Sequence, residues 1–328
     1  MRFSIKHKVL FSLFLLCINP LFSLENTEPK SSFYIIPYTG SVSGKIGEYL
    51  YRTNGSLCSY LDWKETFIPL AGIKSGGKFN DFNYSFSAFY KFPFKCGQMT
   101  DSDYDLSGNC FSFGQFPLHN DFKNYGLDFN FSYDFHPASS FTLSPVFQLS
   151  FRHYSFYSES GSGWILQNDN KKDVRFSHIE YMQQSYFLFT GLKAAFTYNK
   201  IDINFSFLAS PLALNYSLDY HADDNSSGNN SYTSITKQIT SFYSYLASAE
   251  VKYKISENFS LLFESDFLIM LKSKGPTGLY ENYYKEKCAL FENPDDWNII
   301  GQDSANSIFE AAFTIGCIFY LKQKKPGN

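Results

Sequence analysis

The chain has 328 residues, a formal net charge of -3 and an aromatic content of 20%, including 37 Phe and 25 Tyr. So balanced a charge excludes partners that require a strongly basic face, nucleic acid first among them. Mean hydropathy is only -0.24, so the aromatic load must be interleaved with polar residues, as in strands with one oily and one wet face.

The chain opens with what reads as a leader. Arg2, Lys6 and Lys8 are basic, residues 9–16 are apolar, and Leu21-Phe22-Ser23 ends on a small residue. This pattern predicts a removed export signal over residues 1–23 and a single mature domain over 24–328. Cys17 follows Leu16 and not a small residue, a departure from the lipidation pattern. The apolar run is too short for a membrane-spanning helix, and no later stretch is long enough.

The strands come next. Tyr84, Phe86, Ala88, Tyr90, Phe92 and Phe94 alternate with Ser85, Ser87 and Lys91. In residues 125–135, "YGLDFNFSYDF", Tyr125, Leu127, Phe129, Phe131, Tyr133 and Phe135 take one face and Gly126, Asp128, Asn130, Ser132 and Asp134 the other, a separation that no helix could make. The same habit recurs over 141–151, 201–207 and 243–253. Short links at Ser75-Gly76-Gly77, 136–140, 198–200 and 256–258 alternate with long polar ones at 99–122, 161–176, 222–232 and 274–304. Tight turns at one end and long loops at the other predict an all-β fold, a ten-stranded antiparallel transmembrane β-barrel with short periplasmic turns and long extracellular loops.

Five cysteines follow the leader: Cys58, Cys96, Cys110, Cys288 and Cys317. They fit no metal-binding spacing, and an odd number cannot all pair; Cys96 and Cys110 are the nearest disulfide candidates.

Two polar constellations stand out. "MTDSDY", residues 99–104, sets Asp101 and Asp103 two apart, the spacing that places both on one face of an extended chain. Extending the parity of Ser85, Ser87 and Lys91 turns both carboxylates inward at the extracellular mouth, where they could hold a water or share a proton. Along residues 201–221 the apolar phase flips beyond Pro211, as a β-bulge would cause. After the flip Asn215, Ser217, Asp219 and His221 face inward, and Asp219 can orient the His221 ring and raise its basicity. His119, His136, His153 and His178 fall in or near turns and loops and are expected at the surface.

With these residues in place, the chain resembles the omptin family of outer-membrane proteases. The landmarks are "SGKIGEYLY" at 43–51, "LDWK" at 61–64, "MTDSDY" at 99–104, "HYSF" at 153–156, "LDYH" at 218–221 and "GLY" at 278–280. The resemblance implies an aspartic-type endopeptidase of the outer membrane with its site facing outward, acting on protein or peptide substrates as a monomer. His221 would be the general base that activates a water, Asp219 its orienting partner, and Asp101 and Asp103 the pair holding that water, with no metal or other cofactor. Glu48 sits where one acidic group of the family's pocket for basic residues belongs, and Ser217 replaces the other, so preference for Arg or Lys is expected to weaken. Dependence on lipopolysaccharide is expected to weaken as well, because His153 stands at the place of a basic contact, Arg152 is one position out of phase, and Gln183 and Gln184 lie near another. An adhesin or binding barrel with little proteolysis is the alternative reading. A porin comes third, since ten strands enclose only a narrow lumen.

Overall fold

The computed structural model describes residues 31–121, 123–221, 232–281 and 302–321. They form sixteen strands in one sheet, antiparallel in every pairing. Ten strands pair in a closed ring: β1 (Ser31–Tyr51), β2 (Leu57–Phe79), β3 (Phe82–Lys91), β6 (Tyr125–Tyr133), β8 (Phe141–Ser158), β11 (Ile179–Tyr198), β12 (Ile201–His221), β14 (Ser244–Lys254), β15 (Phe259–Glu281) and β16 (Gln302–Leu321). Pairing of β1 with both β2 and β16 closes it. Closure leaves these strands no free edge, so their backbone N–H and C=O groups are satisfied within the ring.

At the lower end the strands meet in tight turns, with Asn80 and Asn199 at φ of 54°, a conformation that Asn tolerates better than most residues. Long strands continue upward past the ring. There β13 (Tyr232–Thr240) takes over from β14, while β4 (Phe94–Tyr104) and β5 (Cys110–Asn120) rise beyond β3 and β6. The hairpin of β9 (Gly161–Gln167) and β10 (Asn170–Phe176) adds to β5, and the short β7 (Phe135–Ala138) to β8.

The alternation seen in the sequence places large apolar side chains on the outside. Phe205, Phe263, Phe313 and Phe319 are all exposed, Phe313 to 57%. This belt ends at Phe67 on β2, Phe94 on β4, Leu214 on β12, Leu271 on β15 and Phe309 on β16. From Phe319 to Phe309 it covers about 25 Å, taking roughly 3.3 Å per residue along strands tilted by about 40°.

Several expectations need correction. Ser75-Gly76-Gly77 is no turn; it pairs with β1 on one side and β3 on the other, and the link lies at Asn80-Asp81. Residues 99–122 and 161–176 hold the hairpins β4–β5 and β9–β10 in place of loops, because the strands run on beyond the belt. Within 274–304, β15 extends to Glu281; residues 282–301, like 222–231, lie outside the described residues. Cys96 and Cys110 are both free, Cys96 buried and Cys110 half-buried, and Cys288 is outside the described residues. His153 is buried on β8, stacked on Tyr125 at 5.1 Å between centroids.

Candidate active site

The upper sheet builds the site. β4 lies between β2 and β5, so Ser59, Asp103 and Ser112 form one row across three strands, and Leu61, Asp101 and Gly114 form the next. Both aspartates turn inward, as the sequence parity required, but by a different route. Lys91 is buried, Phe92 and Phe94 point out, Cys96 is buried, and Met99 is buried. The phase holds through Phe94, slips before Cys96 and slips back before Met99, around the bulge between Lys95 and Gly97, and the two slips cancel.

On the facing wall β12 carries one bulge. The register against β11 shifts where Leu188 pairs Leu212 and Thr190 pairs Ala209. Leu208 and Ser210 are buried below it, and Ala213, Asn215, Ser217 and Asp219 above it, so the inward parity changes where the sequence flips. Asp219 Oδ2 lies 2.5 Å from His221 Nε2, with the side chains only 5% and 13% exposed. Asp219 lies five residues beyond Leu214, and the whole constellation stands above the apolar belt.

Charge is concentrated across this cleft. Burial raises the Asp101 carboxyl to about 7, reinforced by the negative charges of Asp103 and Asp219 and opposed by His221 and by a 3.2 Å hydrogen bond from Ser59 Oγ. Burial also raises Asp103, while Ser59, His221, Ser112 and Arg52 pull the other way. For His221, burial works against the charged ring. The attraction of Asp219, its hydrogen bond, and the charges of Asp101 and Asp103 outweigh that penalty and raise its pKa. The charges of Asp103, Asp219 and His221 act on the Asp101 carboxyl, and those of Asp101, Asp103 and Asp219 on the His221 ring, so the two titrations are linked across the cleft. Just below and beside them Trp63, Phe156 and Tyr181 stack at centroid distances of 5.2, 5.9 and 6.3 Å, and this aromatic layer fills the upper lumen together with Met99 and Phe116.

Glu48 and Ser217 lie on β1 and β12, yet two residues link them. Asn306 is the register partner of Glu48 and donates from Nδ2 to Ser217 Oγ at 2.7 Å. Tyr181 lies beside Ser217 and feels the charges of Glu48 and Asp219. A neutral network continues from Tyr181 to Gln183 (2.6 Å), Asn215 (2.8 Å) and Gln238 (3.2 Å). Gln183 therefore points into the lumen, and Arg152 does the same, forking onto Asp128 at 2.8 and 3.2 Å.

The sequence singled out these six polar positions but not the residues that hold them in place. Ser59 shares the inward parity of Leu61 and Trp63 and could have been found from it. Tyr181, Asn306 and Arg52 carry no local signal. Arg52 ties the β1–β2 turn to the end of β4, its guanidinium donating to the carbonyls of Leu57 (2.8 Å), Asp105 (3.3 Å) and Tyr104, the residue that follows Asp103. Among the described residues no group of three or more His, Cys, Asp and Glu is placed to hold a metal ion.

Comparison with solved structures finds the outer membrane protease OmpT from Escherichia coli, with a TM-score of 0.77 and 18% identity over 90% of this chain and 99% of that one. The translocator domain of the autotransporter NalP from Neisseria meningitidis covers 95% of each chain at 12% identity, with a TM-score of 0.31. No curated protein matches. The ring of ten strands extended upward is thus an OmpT-like fold. The family model described as Omptin family matches residues 31–298, a span that holds both the Asp101–Asp103 strand and the Asp219–His221 pair, and the chain accordingly belongs to the Omptin family.

Proposed function

We propose that this chain is an outer-membrane endopeptidase. Its ring would be a β-barrel spanning the bilayer through the apolar belt, with the cleft outside the cell, after removal of residues 1–23. The belt's height of about 25 Å matches the apolar band of such barrels. The observation that carries the reading is the pairing of Asp219 with His221 across a cleft from a second carboxylate pair.

Peptide hydrolysis needs a positioned water, a base that titrates near neutrality and a means of stabilising the developing charge. Asp219 holds His221 Nε2 as the donor, which places the lone pair of the neutral ring on Nδ1. From there the ring takes a proton from a water as that water attacks the scissile carbonyl carbon. The resulting imidazolium is stabilised by Asp219 and by the remaining negative charge of the Asp101–Asp103 pair, and it returns its proton to the leaving amine. Asp101 and Asp103 hold the water from the opposite wall; with Asp101 raised to about 7, their shared proton can hydrogen-bond the oxyanion. These steps use only the chain's own residues and water.

Glu48 and Ser217 form the pocket that sets residue preference. One carboxylate among neutral partners gives a weaker pull on Arg or Lys than two would, so basic residues are favoured modestly. The test is cleavage of a quenched-fluorescent peptide library by the mature protein refolded in detergent, with and without lipopolysaccharide, beside His221→Ala and Asp101→Asn. Loss of cleavage in both folded variants is the expected result. A folded wild type that cleaves nothing in either condition would point to a binding protein instead.

A further inference from the structure

The outer face of β15, β16, β1 and β2 carries a cationic cluster at the upper limit of the apolar belt. Lys45 and Lys64 are both exposed and are direct register partners, while Lys45 faces Phe309, the last apolar residue of the belt on β16, from its other side. Lys272 follows Leu271, the last belt residue on β15. Its ammonium lies 4.0 Å from the centre of the Tyr49 ring and 4.9 Å from that of Tyr51, and Lys274 lies 4.1 Å from Tyr51. None of the four lysines forms an ion pair among the described residues. Among the described residues, the anions flanking the patch on these strands are Asp62 and Asp303, two against four lysines.

This arrangement is costly as it stands. Like charges directly opposite on neighbouring strands repel, and two ammonium groups held over the same tyrosine add to that repulsion. An anion seated between them would reverse the sign. Its chemistry is set by position: a group at the edge of the apolar belt, on the outward face, meets the headgroup layer of a bilayer, where basic residues attract phosphate. We infer that Lys45, Lys64, Lys272 and Lys274, cradled by Tyr49 and Tyr51, bind the phosphate of a membrane-lipid headgroup. The site is remote around the ring from β8 and β11, which carry His153, Gln183 and Gln184. The inference rests on the membrane-spanning reading above.

The experiment reconstitutes the refolded mature protein into phosphatidylcholine vesicles with or without phosphatidylglycerol and follows thermal unfolding by its heat-dependent migration on gels. Phosphatidylglycerol should raise the wild-type Tm, and replacing all four lysines by Gln should abolish the gain; headgroup affinity should drop about fivefold per lysine. Lys64→Gln alone gives a reversal of sign, since it relieves repulsion and raises Tm in phosphatidylcholine but lowers Tm relative to wild type in phosphatidylglycerol. Lys172→Gln, on β10, should retain the full gain. An equal gain in wild type and quadruple variant would overturn the site, and the same gain from inorganic phosphate in phosphatidylcholine would overturn its assignment to a lipid. Insertion without lipid selectivity sinks this inference alone; failure to insert into either vesicle sinks the membrane reading with it.

Discussion

The lumen within the belt and the cleft above it are both rich in charge, and they handle it in opposite ways. Below, cations meet anions: Lys91 bridges Glu65 (3.2 Å) and Glu310 (2.7 Å), Lys74 lies 3.6 Å from Glu250 and 3.3 Å from Glu264, and Arg152 pairs Asp128 at 2.8 Å. Above, Asp101, Asp103 and Asp219 share one histidine and no lysine or arginine binds their carboxylates among the described residues. Paired charges neutralise one another and cross-link strands on different sides of the ring. Burial and the like charges beside it raise Asp101 to about 7, which is useful for moving protons and unfavourable for stability.

The largest expected effect tests the upper region. His221→Ala should reduce kcat/KM for peptide cleavage by about 10^3-fold, within the range for losing a general base, with heat-dependent gel migration unchanged. Lys91→Met tests the lower one: it leaves Glu65 and Glu310 without their cation and should cost about 3 kcal/mol of stability. Cleavage per folded molecule should stay the same, and a large loss of specific activity would break the division between the regions.

Arg52→Ala should lower kcat about tenfold with little change in KM, because it unties the strand end that aims Asp103. Partial recovery in Arg52→Lys would show that charge beside Asp103 contributes too, since Lys cannot reproduce the forked donors.

Smaller effects lie in the pH dependence. In the proposed mechanism a neutral His221 takes the proton from water, so activity should rise with pH through its raised pKa. Asp103→Asn removes a charge that holds this pKa up, and the acid limb of the kcat/KM profile should move to lower pH. Stability should run the other way. Asp101 titrates at about 7 when folded against an ordinary 3.8, so the folded state holds the extra proton between these values and stability falls as pH rises across that window. The contribution of His221 is complete below its ordinary 6.5 and is lost as pH rises through its folded value. Asp101→Asn should therefore be more stable than wild type at pH 8, with the difference vanishing near pH 3; denaturant midpoints at both pH values measure this.

The sequence by itself determined the class of fold and the candidate residues. Period-two alternation in segments such as 125–135 is a local property of extended chain, since successive side chains must point to opposite faces. The flip after Pro211 is equally local, and it located the bulge that turns Asp219 and His221 inward. The inward turn of Asp101 was anticipated through a parity that ignored two slips, and it came out right because they cancel. Turn positions were less legible: Ser75-Gly76-Gly77 has turn composition, but pairing on both sides keeps it a strand, and the supposed outer loops at 99–122 and 161–176 gain a partner from strands that run beyond the belt.

Only the tertiary structure decided what meets across the ring. Asp101 faces His221, Asn306 joins Glu48 to Ser217, Lys91 reaches Glu310, and Lys45 confronts Lys64, each contact joining residues on different strands. Alternation sets which face a side chain takes but says nothing of its height or its neighbour. Those depend on register, and register is fixed only when the first and last strands pair and the sheet closes.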